Sequence, residues 1–233
     1  VKVTHNVPML SIEDVFTKEE VDAFVDRVHE RHPSAAFSVE VKVDGLSMTL
    51  RYSRNEAGEL ALALAETRGD GHIGEDVTAN ALTIPDVKQV LELPFDYLEL
   101  RGEVYMAHEA FERFNERQEE LGKRPAANPR NLAAGTLRQL NPAITRERGL
   151  RMFVFNVQDG PAEIRDDHCR ALELLSDAGV PVVFHRRCET AEEVRAAIDE
   201  IGELRGELPF DLDGAVGKLD HTPWREEFPA GGK

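Results

Sequence analysis

Phe37-Ser-Val-Glu-Val-Lys-Val-Asp-Gly45 is the stretch on which the reading of this chain turns. Apolar and polar residues alternate strictly, which is the period of a half-buried β-strand. Phe37, Val39, Val41 and Val43 are expected to face a core, with Glu40, Lys42 and Asp44 in a row on the opposite face. Gly45 then allows a tight turn. A lysine between two carboxylates, on a rigid strand at the lip of a turn, fits a covalent nucleophile. It also fits an ordinary surface ladder of salt bridges, and short motifs match by chance often, so these residues alone leave both readings open.

Composition sets outer limits. A chain of 233 residues can bury a real core, as one large domain or a domain with a small appendage. The formal net charge of −16 argues against broad, non-specific adhesion to nucleic acid. Local basic positions such as Arg130 and Arg138 keep more specific nucleic-acid work open. No apolar run is long enough to span a bilayer and no charged-then-apolar leader opens the sequence, so no membrane partner is expected. Cys169 and Cys188 sit in no C-x-x-C or Cys/His pattern, which indicates neither a disulfide framework nor a zinc site and fits a reducing, cytoplasmic compartment. The histidines show no metal-ligand spacing and read as surface residues.

Outward from the lysine stretch, the chain reads as mixed α and β without repeats. Thr17 with Glu20 forms a capping box opening a helix whose Val21, Phe24, Val25 and Val28 share a face, with Pro33 beyond its end. The lysine strand is expected to pair with Leu46–Tyr52, and a turn near Asn55–Gly58 to add Leu60–Glu66 and complete a meander. Tyr97–Met106 alternates again, placing Glu99, Arg101, Glu103 and Tyr105 together. A helix is expected over His108–Leu121, and Asn128-Pro129 starts another towards Leu140. Arg151–Val157 reads as a strand, Ile164–Ala178 and Thr190–Leu204 as helices, and Asp211–Leu219 as the last strand. Adjacent strands joined by short turns make the class α+β with antiparallel sheets.

Gly69-Asp-Gly-His-Ile-Gly74 satisfies G-x-G-x-x-G, yet a dinucleotide fold is not the reading it supports. Asp70 lies inside the loop, and Glu75-Asp76 are expected to open the next helix, where they would repel a pyrophosphate. The preceding strand belongs to a meander and not to a βαβ unit. Those glycines are better read as shaping a turn that presents Arg68.

Taken together, the segments resemble one family, the adenylation domain of bacterial NAD-dependent DNA ligases. His5-Asn-Val-Pro-Met-Leu-Ser-Ile12 resembles the family's opening segment, and Glu40-Val-Lys-Val-Asp-Gly45 its E-x-K-x-D-G nucleophile motif. Thr67-Arg-Gly-Asp-Gly71, Gly74-Glu-Asp-Val-Thr-Ala-Asn80 and Leu100-Arg-Gly-Glu-Val104 follow in the family's order. Asn128-Pro-Arg-Asn-Leu-Ala-Ala-Gly-Thr-Leu-Arg-Gln139 and Leu208-Pro-Phe-Asp-Leu-Asp-Gly214, with Lys218, complete the series. K-x-D-G alone is shared with ATP-dependent ligases and capping enzymes; the ordered series is specific.

The resemblance implies a nucleotidyltransferase fold, ligase- and capping-enzyme-like, with antiparallel sheets flanked by helices and a nucleotide pocket between them. It implies that Lys42 attacks NAD to form an enzyme–AMP phosphoramidate and that the AMP then activates the 5′-phosphate at a DNA nick for sealing in replication and repair. Lys42 and Asp44 are the implied catalytic pair. Ser11, Ile12, Glu40, Arg68, Glu103, Phe155 and Lys218 are implied nucleotide contacts, with Glu40 at the adenine edge, Phe155 stacked on the base and Ser11 and Ile12 closing the pocket. Arg130 and Arg138, eight apart on one expected helix and so on one face, are implied phosphate or DNA grips, with Arg205 and Asp213 as further DNA or phosphate positions.

Mg²⁺ is the implied ion and nicked duplex DNA, through the full-length protein, the implied partner of a monomer; no metal ligands are assigned in this chain. Residues 1–233 are expected to be one adenylation domain without the family's nicotinamide-binding front module or its OB-fold, zinc and helix-hairpin-helix parts. Zn²⁺ is therefore expected only in those C-terminal parts, and the isolated piece to be impaired. Gly217, where a branched apolar residue is usual, departs from the pattern. An ATP- or GTP-dependent nucleotidyltransferase, or an inactive binding module, are the rival readings. The Asn128–Gln139 and Leu208–Gly214 segments oppose the first, and intact Lys42, Asp44, Glu103 and Lys218 the second.

Overall fold

Helix α1 (Lys18–Arg31) begins where the capping box places it, with Thr17 Oγ1 accepting the Glu20 N–H at 3.2 Å. Its buried stripe is Val21, Phe24, Val25 and Val28. The structure, a computed structural model, describes residues 17–67 and 74–228.

Strand β1 (Phe37–Val43) pairs antiparallel with β8 (His185–Cys188) on one side and β9 (Leu212–Leu219) on the other, making a three-stranded sheet. The second sheet holds β2 (Leu46–Arg54), β3 (Leu60–Thr67), β4 (Glu75–Asp76), β6 (Tyr97–Tyr105) and β7 (Arg151–Asp159) in the order β4-β3-β2-β6-β7, with β5 (Val90–Leu91) on β3. Every pairing between these strands is antiparallel, so the class is α+β.

One expectation fails here. The lysine strand does not pair with Leu46–Tyr52; the chain crosses from one sheet to the other at Asp44-Gly45, and the meander starts at β2. Gly45 makes the crossing possible. A Cβ there would lie 2.0 Å from the Val104 carbonyl oxygen, so no other residue fits without moving β6. Nor is β1 half-buried: both faces are covered along its length, and only Lys42 is exposed.

Three helix boundaries also differ. Glu75-Asp76 form strand β4 instead of opening a helix; α2 (Thr78–Ala81) starts two residues later, with Asp76 Oδ1 accepting the Thr78 N–H at 3.0 Å. The preceding β3 therefore belongs to an antiparallel hairpin, the context that opposes a dinucleotide fold. Helix α3 (His108–Glu120) matches its expected span. Helix α4 (Pro129–Leu137), capped by Asn128 Oδ1 on the Asn131 N–H at 2.8 Å, stops short of Leu140. Asn80 Nδ2 donates to the carbonyls of Leu137 and Gln139, both at 2.7 Å, and so satisfies groups that a longer helix would have used. A second Asn-Pro pair, Asn141-Pro142, then starts α5 (Pro142–Glu147). The expected Ile164–Ala178 helix is split into α6 (Ala162–Arg165) and α7 (His168–Asp177). Its break is held by the exit of β9: the Thr222 N–H donates to the Asp166 carbonyl at 2.8 Å, and His221 contacts Asp167 at 2.9 Å.

Helix α8 (Ala191–Leu204) packs with α1 against β1 and β9, over a core built from Val39, Val41, Val194, Ala197 and Ile201. A second core fills the other side of the six-stranded sheet, with Met48, Leu50, Leu98, Leu100, Leu137 and Met152 among its largest buried side chains. A 3₁₀ turn (Thr222–Glu227) closes the described chain. No described helix is long and apolar enough to cross a membrane.

Candidate active site

Glu40 lies at the centre of a buried polar cluster. It is 1 % exposed, between the two sheets, on the face of β1 opposite Val39 and Val41. Its Oε2 accepts from Ser38 Oγ at 2.7 Å and lies 2.5 Å from His168 Nε2; its Oε1 accepts from Lys218 Nζ at 2.9 Å. Burial alone would push this carboxyl up. The Lys218 charge, and the hydrogen bonds from His168 and Ser38, outweigh it and hold Glu40 well below the usual carboxylate range. Burial also drives His168 down, against the pull of Glu40, so its imidazole is neutral and donates from Nε2. Across the cluster, the Lys218 ammonium sits 5.1 Å from the Phe155 ring centroid, joining β9 to β7.

Lys42 projects from the exposed step of β1, two residues beyond Glu40 on the same face. Its Nζ is 3.2 Å from Asp213 Oδ2, across the β1–β9 pairing. Asp44 faces Arg130 at 3.8 Å; burial and then the Asp213 charge raise its carboxyl, while Arg130 lowers it. Glu103, on β6, is pushed up to about 7 by burial, despite Arg130, a hydrogen bond from the Gly45 N–H and Lys42. One wall is thus Glu40, Lys42, Asp213 and Lys218 on the three-stranded sheet. The facing wall carries Glu103 and Phe155, with Arg130 at the rim.

Several sequence expectations are redistributed. The carboxylate on Lys42 is Asp213, while Glu40 is paired with Lys218. Arg130 and Arg138 do not act from one helix face. Arg138 follows the last turn of α4 and lines a separate cleft of about 550 Å³ with Glu75, Thr78, Asn80 and Pro142. Arg205 is exposed at the end of α8, the helix that covers the other face of the three-stranded sheet. Ser11, Ile12 and Arg68 lie outside the described residues. His168, expected at the surface, is 2 % exposed and packed against Glu40. The Asp166-Asp167 pair inside a helical pattern was the available signal, since Asp favours helix starts over helix interiors.

A family model described as the NAD-dependent DNA ligase adenylation domain matches residues 1–231. The chain belongs to that family. Among curated relatives, a DNA ligase from Clostridium kluyveri (strain NBRC 12016) is 44 % identical over 221 residues, covering 94 % of this chain and 33 % of its own length. A DNA ligase from Methylorubrum extorquens (strain PA1) is 46 % identical over 228 residues, covering 94 % and 27 %. The chain spans about a third of the length of the first of these relatives. An ATP-dependent DNA ligase from bacteriophage T7, solved in complex with ATP, overlaps 88 % of this chain and 63 % of its own at 12 % identity. Its TM-score of 0.38 is too low to carry an argument. As a member of a ligase adenylation family, this chain carries the adenylation part of a DNA ligase.

Proposed function

We propose that this chain catalyses the adenylation step of an NAD-dependent DNA ligase with Lys42 as the covalent nucleophile. One observation carries the reading. Lys42 is the exposed side chain of an otherwise buried strand, paired with Asp213 and set beside a cluster that can read a purine edge. Its ammonium must lose a proton before it can attack, and the Asp213 carboxylate at 3.2 Å is placed to take it. The Nζ electron pair then forms the bond to the α-phosphorus of NAD. The bond from that phosphorus to nicotinamide mononucleotide breaks, and its electron pair leaves with the mononucleotide.

Glu40 and Lys218 receive the base edge, Phe155 its face, and Glu103 the ribose hydroxyls. Arg130 accompanies the phosphate, with Arg138 and Arg205 as contacts for DNA in the longer protein. Asp44 keeps Arg130 on the pocket rim. Among the described residues no group of three or more His, Cys, Asp or Glu side chains is placed to hold a metal. A Mg²⁺ ion would be held by the nucleotide phosphates, where it spreads charge off the phosphoryl oxygens. Transfer of the AMP to a 5′-phosphate at a nick completes the activation that sealing in replication and repair requires.

The test is intact mass after incubation with NAD and Mg²⁺, followed by peptide mapping. A single adenylate on the Lys42 peptide, absent in Lys42→Ala, is expected. Labelling of Lys218, or unchanged labelling of Lys42→Ala, would overturn the assignment.

A further inference from the structure

The Glu40 carboxylate is divided between two duties. Oε2 is fully engaged inside the protein, by Ser38 Oγ at 2.7 Å and His168 Nε2 at 2.5 Å. Oε1 is turned towards Lys218 at 2.9 Å and retains an acceptor position. We infer that His168, assisted by Ser38, is a positioning residue that fixes this division and thereby makes the pocket selective for purines carrying a 6-amino group. The inference rests on the proposed reading of Glu40 and Lys218 as the base-edge contacts.

The donor pattern explains the selectivity. A carboxylate oxygen beside an ammonium matches an amine donor next to a ring-nitrogen acceptor, the edge that adenine presents. It opposes the carbonyl and N–H that guanine presents there. A glutamate left free would rotate about its terminal torsions and lose that register. His168 prevents the rotation because its own backbone is fixed. The His168 N–H donates to the Asp220 carbonyl at 3.0 Å and the Cys169 N–H to Asp220 Oδ1 at 2.7 Å. Asp220 lies two residues past Lys218, so both His168 and Lys218 are tied to one strand end. The break between α6 and α7 is what aims His168 inward, which gives that irregularity a purpose.

The experiment measures binding of AMP and of purine riboside 5′-monophosphate, which has hydrogen at position 6, by calorimetry. All proteins carry Lys42→Ala, so that none is purified already carrying a covalent adenylate. A hydrogen bond to a charged acceptor supports a preference of about tenfold for AMP in the parent. His168→Met should reduce that preference to about twofold or less, Ser38→Ala should reduce it partially, and His168→Gln, which keeps an N–H donor, should retain most of it. A full preference in a folded His168→Met, or in Ser38→Ala where the methionine variant does not fold, overturns the positioning role. A parent with no preference overturns the base-edge reading and the inference with it. A structural filler would weaken both ligands equally and leave their ratio alone.

Discussion

Glu40 and Glu103 show how little burial alone decides about a charge. Glu40 is the more deeply enclosed, yet it stays ionised because Lys218, His168 and Ser38 supply compensation. Glu103 has weaker compensation from Arg130, the Gly45 N–H and Lys42, and it titrates near neutrality. Its folded value, about 7, lies above the ordinary 4.5, so the folded chain holds a proton that the unfolded chain has released. Any stability from this group is complete below the ordinary value and is lost as pH rises through about 7. Glu103→Gln should therefore gain about 3 kcal/mol over the parent at pH 8 and close to nothing at pH 4. Urea unfolding of both proteins at the two pH values checks this, and a gain of equal size at pH 4 would refute the titration. At this scale the sequence showed which side chains mattered more readily than whom they touch. The Glu40–Lys42–Asp44 row is visible in the alternation, but the partners Asp213, His168 and Lys218 are brought from more than a hundred residues away.

Elements governed by local chemistry were the legible ones. Thr17, Asn128 and Thr190 each cap a helix through a side-chain oxygen, and each is visible as a cap in the sequence. Alternation likewise marks β1 and β6, and β2, β3, β7 and β9 also read as strands in the sequence. What escaped depends on distant contacts. Strand β8 is four residues long with two arginines, and only its pairing with β1 makes it a strand. The transfer between sheets at Gly45 is set by the approach of Val104, which no local pattern reveals. Helix α4 carries Arg130 to the pocket rim, so its cap is the local feature closest to the site. Asn128→Ala should destabilise the chain by about 1 kcal/mol, whereas Asn128→Asp should cost little, since aspartate caps as well. Denaturant midpoints separate the two, and an equal loss in both would show that Asn128 acts through something other than its cap.

At the scale of the whole molecule, the described residues form two cores divided by one sheet. At the end of β6, Val104 and the following Met106 enter the core of the six-stranded sheet while Tyr105 between them enters the other. The Tyr105 ring stacks on Phe153 with centroids 5.2 Å apart and meets Phe210 at 4.9 Å, so an aromatic trio fastens the β6–β7 edge to the segment leading into β9. The candidate site spans the same junction, with Glu40, Lys42 and Lys218 on one wall and Glu103 and Phe155 on the other. Its geometry therefore depends on the two halves staying in register. Trp224, the single tryptophan, stacks on His32 at 3.9 Å beside α1 and reports on the three-stranded half. In the parent, Trp224 fluorescence and far-UV circular dichroism should follow one urea transition. Tyr105→Ala removes the central ring and should cost about 3–5 kcal/mol, as large-to-small aromatic core changes do. Because the loss falls where the second core meets the six-stranded sheet, the two signals should then separate. Saturating AMP, which by the proposed reading touches both walls, should draw them together again. Coincident transitions in Tyr105→Ala without ligand would mean that the crossover at Asp44-Gly45 and the paths through α7 and β9 couple the halves without the aromatic trio.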